Sequence, residues 1–399
     1  MRPQNASEAA QKQIDSLTGL RIVAALGVFA THFWSRTSLG PWGALEALKT
    51  PVTRVMTRGF IGVPLFFMLS GFVLTYSTAR APPTSAPLRK AFWGNRFARI
   101  YPAYVLSLLL ALPLLYGSVE HYLTKFGRTK GALLASIASC MVATLTQSWF
   151  PRAANFWNGP AWSLSVEAFF YALFPYLISS RIARATSCWS PVATVAGLSL
   201  VGVAAPLLAE ALHGGPLGEA DGGVVIYFPI LNLPTFLIGM VLARAYLSRP
   251  PPAAPAAAGG GALVMGSGAA LLAISAVLPS APAELMDYGL QPLFAALIYG
   301  LASGGGWVGR MLSHPSLVFL GEASYSFYLL HIIVTVLVSR VVGASATIIT
   351  DGAMTLEPWQ TAACLATCLV ASGVALVTVE KPARVFLRRW LQTFQGHAR

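Results

Sequence analysis

Eleven stretches of mostly apolar residues divide the chain, at about 18–35, 60–78, 100–117, 131–149, 161–180, 191–210, 224–243, 261–279, 286–303, 317–339 and 360–379. Each is long enough, or nearly so, to cross a hydrocarbon core of roughly 30 Å as a helix. A chain with 55% hydrophobic and 10% charged residues and a mean hydropathy of +0.64 is no soluble domain, since those carry about 25% charged residues. The class implied is an all-α polytopic membrane helix bundle within a lipid bilayer. No extra soluble domain is evident, so residues 1–399 read as a single membrane domain, interrupted at 250–261 (PPPAAPAAAGGG) by a flexible linker.

The net charge of +13 does not point to nucleic acid, because the basic residues lie between apolar segments and form no patch interleaved with aromatics. Cys140, Cys188, Cys364 and Cys368 sit in or beside apolar segments without metal-ligand spacing, so neither a disulfide framework nor a metal site is indicated. The first segment lacks a small-x-small cleavage site and many spans follow it, which reads as a retained helix and not a signal peptide.

Lys and Arg accumulate in cytoplasmic loops, and this bias tests which segments cross. If all eleven cross from a cytoplasmic N-terminus, 10 basic residues fall inside and 17 outside; if 131–149 does not cross, 18 fall inside and 9 outside. The second arrangement predicts about ten transmembrane helices with both termini cytoplasmic. It leaves 131–149 re-entrant or interfacial, and the segment's Ser136, Ser139, Thr144, Thr146, Gln147 and Ser148 suit a lining for a wet cavity.

Costly residues within apolar helices are the candidates for function. In the first segment everything from Arg21 to His32 is apolar apart from the Thr31–His32 pair. Eleven residues at about 100° and 1.5 Å each put Arg21 and His32 on one face, roughly 16 Å apart, with His32 expected well inside the hydrocarbon. Glu167 is the only acid of the fifth segment, and Tyr171 follows one turn later. Ser324, Tyr328 and His331 form one polar stripe on the tenth. Arg96 and Arg99 open the third on one helical face, as bidentate phosphate binding would require. Plainer roles exist for all of them: cytoplasmic flanks for the arginines, a buried ion pair for Glu167, and interhelical hydrogen bonds for His32 and the stripe.

Taken together, the motifs resemble the acyltransferase-3 family of integral-membrane acyl transferases, which O-acylate extracytoplasmic sugars and some secondary metabolites. The resemblance is carried by Gly19-Leu20-Arg21 with ten residues to His32, GFIGVPLFFMLSGF at 59–72, Arg96-x-x-Arg99-Ile-Tyr-Pro, WSLSVEAFFY at 162–171, SYSFYLLH at 324–331, and Glu380-Lys381-Pro382-Ala383-Arg384. Pro64 departs from the Asp that many members carry, which touches a substrate-side role only. The esterase-like domain appended in some members is not found, so transfer is expected to be completed within the membrane domain.

The resemblance implies a multi-pass protein of the bacterial inner membrane. It would move a short acyl group, acetyl above all, from acyl-CoA to a hydroxyl of an extracytoplasmic or lipid-linked glycan, with glycan-assembly membrane proteins as possible neighbours and no metal. On this reading Arg21, Arg96 and Arg99 hold the phosphates of CoA, His32 is the general base, and Glu167 orients and charge-stabilises it. Ser324, Tyr328 and His331 then hold the acceptor or the oxyanion. The competing readings are a secondary transporter, which would show internal repeats and paired broken helices that are not seen, and a purely structural membrane subunit.

Overall fold

The computed structural model describes residues 14–38, 45–179, 190–213, 226–248, 256–278, 286, 288–341 and 356–396. Its helices are α1 (Asp15–Phe33), α2 (Glu46–Thr57), α3 (Gly62–Ser77), α4 (Ala86–Leu110), α5 (Leu112–Phe126), α6 (Arg128–Ala143), α7 (Trp162–Ser179), α8 (Pro191–His213), α9 (Pro229–Leu247), α10 (Ala256–Val277), α11 (Gln291–Ala302), α12 (Gly306–Leu312), α13 (Pro315–Val341), α14 (Pro358–Ala375) and α15 (Lys381–Gly396). Among the described residues there is no strand beyond a single bridge between Thr37 and Leu356.

Eight helical stretches are long and apolar enough to cross a bilayer, and two bent pairs, α4–α5 (67°) and α11–α12 (78°), raise the number to ten. These ten coincide with the ten expected crossings, and α6 is not among them. The second bend follows from Gly304, Gly305 and Gly306 at φ of 110°, 63° and 60°, a left-handed run that favours glycine.

Helix directions carry the topology further. Along α1 and α13, the Thr18 carbonyl lies against Gly321, Phe29 against Phe327 and His32 against His331, so these helices run parallel. On α3 and α9, Met68 lies against Gly239 and Tyr76 against Tyr246, again parallel. Each crossing reverses the chain's direction, so parallel spans stand an even number of places apart in chain order. Both pairs do so if α6 is left out, eight places for α1 and α13 and four for α3 and α9, whereas the numbers are odd, nine and five, if it crosses.

The α5–α6 hairpin returns the chain to α4, where Tyr101 and Tyr104 donate to the carbonyls of Ala143 and Val142 at 2.6 Å each. The polar end of the segment is not among the residues lining the cavity between α1, α4 and α13, contrary to expectation. Gln147 and Ser148 are fully buried and donate to the carbonyls of Ala161 and Trp162 at the head of α7, so their donors are used within the protein, while Gln147 Oε1 has no partner. Cysteines placed singly at exposed Thr84 and Asn155 should therefore label from opposite sides of the membrane; labelling from one side would mean that α6 crosses.

The expected linker differs as well. Residues 250–255 lie outside the described residues, while 256–261 already form the start of α10. Cys188 also lies outside them, and Cys140, Cys364 and Cys368 are free thiols.

Candidate active site

A cavity of about 540 Å³ opens between α1, α3, α4, α7, α13 and α15. Arg21 reaches it from α1, and Arg96 and Arg99 from α4. Their side chains make no hydrogen bond or ion pair with any described residue, and the buried Arg96 Nε is unsatisfied. The Arg96 guanidinium lies 5.6 Å from the Phe92 ring centre and 5.9 Å from that of Tyr171. Cations withdrawn from water without partners cost several kcal/mol, so three around one hollow make a preformed receptor for an anion.

The carboxylate that could neutralise them is engaged elsewhere. Glu167 Oε1 accepts from Ser70 Oγ at 3.0 Å and from the Tyr171 hydroxyl one turn along α7. Ser324 and Tyr328 also line the cavity, and the Tyr328 hydroxyl accepts from Ser163 Oγ at 3.0 Å.

At the other end of α1 the site has a different character. His32 faces His331, with ring centres 5.3 Å apart and planes tilted by 34°. His331 is buried, and its Nδ1 lies 2.6 Å from the Tyr328 carbonyl oxygen. A carbonyl only accepts, so Nδ1 carries the hydrogen and the lone pair sits on Nε2. That Nε2 is buried and has no partner. Arg36 caps α1 by donating from Nη1 to the His32 carbonyl at 2.8 Å, bringing a cation to the same end.

Two expectations are corrected here. Glu167 does not orient His32: its bonds go to Ser70 and Tyr171, and the side chain facing His32 is His331. Nor does His32 lie midway along its helix. α1 ends at Phe33, one residue later, because a 3₁₀ turn at Trp34–Arg36 follows and Trp34 Nε1 is tied to Thr53 Oγ1 at 3.1 Å. The Arg21–His32 face thus runs from the second turn of α1 to its last.

The family described as an acyltransferase domain matches residues 14–378, from the start of α1 into the turn that follows α14. The chain belongs to the acyltransferase-3 family. It is 30% identical to "Acyltransferase MdmB" of Streptomyces mycarofaciens, over 94% of this chain and 93% of that relative. To "O-acetyltransferase OatA" of Staphylococcus aureus (strain NCTC 8325 / PS 47) it is 22% identical, over 82% of this chain and 51% of the relative. The chain thus spans about half the length of the staphylococcal relatives and nearly all of the streptomycete one. No solved structure matches it. Membership makes the protein an O-acyltransferase, carried on a multi-pass helix bundle.

The family's motifs sort onto the two ends just described. Arg21, Arg96, Arg99 and Glu167 line the cavity, whereas His32 and His331 face each other outside its lining. The polar stripe on α13 divides: Ser324 and Tyr328 belong to the cavity and His331 to the imidazole pair. Ser70, Ser163, Arg384 and Arg388 also line the cavity and were not assigned from the sequence. A signal existed for the last two, which are four residues apart and therefore share a helical face after Pro382.

Proposed function

We propose that the protein transfers a short acyl group, acetyl above all, from acyl-CoA on the cytoplasmic side to a hydroxyl of an extracytoplasmic or lipid-linked glycan. The observation that carries this reading is the pairing of an unneutralised arginine cavity with a two-histidine site about 16 Å further along α1. Such a separation matches the pantetheine arm, which puts phosphates and thioester at opposite ends of one donor. Both termini are then cytoplasmic, and the protein resides in the inner membrane.

In this mechanism the arm passes Phe66 and Tyr328, whose rings lie 6.2 Å apart, and the thioester arrives at His32. His32 takes the proton of the acceptor hydroxyl as its oxygen attacks the thioester carbonyl. The tetrahedral oxyanion collapses, the C–S bond breaks, and the departing thiolate takes the proton from the His32 imidazolium, giving an ester and free CoA. His331 is the positioning residue: its Nδ1–H is fixed by the Tyr328 carbonyl, and its unpartnered Nε2 lone pair, on a ring 5.3 Å from that of His32, is free to receive an N–H of the imidazolium as it forms. It fills the place that a carboxylate takes in hydrolytic triads. Glu167 stays bonded to Ser70 and Tyr171 in the lining of the arginine cavity.

The reading is tested with purified protein in proteoliposomes, supplied with acetyl-labelled CoA and a glycan fraction from a strain lacking the protein. Label should enter the glycan as base-labile ester with equal release of free CoA, and the strain's own surface glycans should have lost that ester. Unchanged ester content together with no CoA release would remove acyl transfer to glycans and return the transporter reading.

A further inference from the structure

Beyond the three arginines already assigned to the donor, the cavity has a second basic wall. After α14 the chain makes a π-helical turn, Leu376–Glu380, and continues as α15. This turn shifts the register, so that Lys381, Arg384 and Arg388 line the cavity while Val385, Phe386 and Trp390 stay exposed, as on an interfacial helix. α15 packs on α4, the helix of Arg96 and Arg99, and the like-charged neighbours of Arg384 are Arg99, Arg388 and Arg96. In all, six cationic side chains and two carboxylates face the cavity.

The acids of this wall offset it only in part. Glu322 is taken up by Lys381 at 2.9 Å. Buried Glu380 accepts from Ser326, and its second oxygen stands 3.7 Å from Arg384 Nη2 without a hydrogen bond. Arg384 Nε and Nη2 are themselves buried and unsatisfied. Lys381, Arg384 and Arg388 lie beyond residues 14–378, and the motif Glu380–Arg384 that supports the resemblance carries no role for them there.

A basic lining that extends from α1 and α4 onto the adjoining α15 suits a ligand with more than one phosphate group. We infer that Arg384 and Arg388 recognise the ribose 3′-phosphate of the donor, while Arg21, Arg96 and Arg99 hold its diphosphate. This rests on the acyl-CoA reading above. It makes the enzyme selective for 3′-phosphorylated donors over otherwise identical dephospho-donors. A guanidinium pair on a phosphate gives strong, geometry-specific hydrogen bonds, and losing it is expected to cost about 10- to 100-fold in affinity.

The test is binding of CoA and of 3′-dephospho-CoA to the full-length protein in nanodiscs. Wild-type protein should bind CoA about 10- to 100-fold more tightly. Arg384→Gln/Arg388→Gln should bring CoA affinity down to that of dephospho-CoA and leave dephospho-CoA binding within about threefold, whereas Arg96→Gln should weaken both ligands alike. Equal wild-type affinity for the two ligands, or equal weakening of both by the double variant, would overturn the assignment while leaving acyl-CoA as donor. Binding of neither ligand would remove the donor reading and this inference together. Should the double variant not insert, the wild-type comparison and exposed Arg388→Gln alone still decide.

Discussion

His32→Gln lowers the rate of acyl transfer by about 10²- to 10⁴-fold, the usual contribution of a general base, while the protein inserts normally and the KM for acyl-CoA stays within about twofold of wild type. Gln keeps hydrogen-bonding capacity at the end of α1 and cannot take the proton. The arginine cavity, roughly 16 Å back along the same helix, is left intact, so the loss falls on kcat. His331→Phe keeps a ring against Phe327, with which the imidazole is stacked at 6.4 Å, and removes the Nε2 lone pair. It should lower kcat less than His32→Gln and add little to it in the double variant, because a residue acting through His32 has nothing left to position. Additive losses would make His331 a packing residue. Near wild-type transfer by His32→Gln would move the base to His331 itself.

Arg96→Ala/Arg99→Ala raises the apparent KM for the acyl donor by at least about 100-fold and leaves kcat at saturating donor within a fewfold. Hydrogen bonds to a charged group are worth about 1.5–3 kcal/mol each, and two guanidiniums are removed from one phosphate site. The fold should tolerate the change, since neither arginine makes a hydrogen bond or ion pair to a described residue, and removing unneutralised charge relieves a desolvation cost. Steady-state kinetics at varied donor concentration separates this outcome from a general loss of activity. An unchanged donor KM in the double variant would make the two arginines topological flanks only.

What the sequence by itself determined is local and repetitive. Segment length and hydropathy set the eight to ten candidate crossings, and the distribution of Lys and Arg singled out 131–149, because insertion reads each segment and its flanks one at a time. Helical periodicity alone placed Arg21 with His32, Arg96 with Arg99, and Glu167 with Tyr171, whose hydroxyl does bond it.

What only the tertiary structure decided concerns contacts between helices. The partner of His32 is His331 because α1 and α13 run parallel and approach closely: a Cβ at Gly321 would collide with the Thr18 carbonyl, and no spacing within either helix contains that information. Glu167 turns to Ser70 because α3 lies beside α7 at that level. The position of His32 in the last turn of α1 depends on ties outside the helix, Trp34 to Thr53 and Thr37 to Leu356. Arg384 and Arg388 join the donor cavity through a five-residue π turn, and a few degrees per residue there decide whether two arginines face the cavity or the lipid surface.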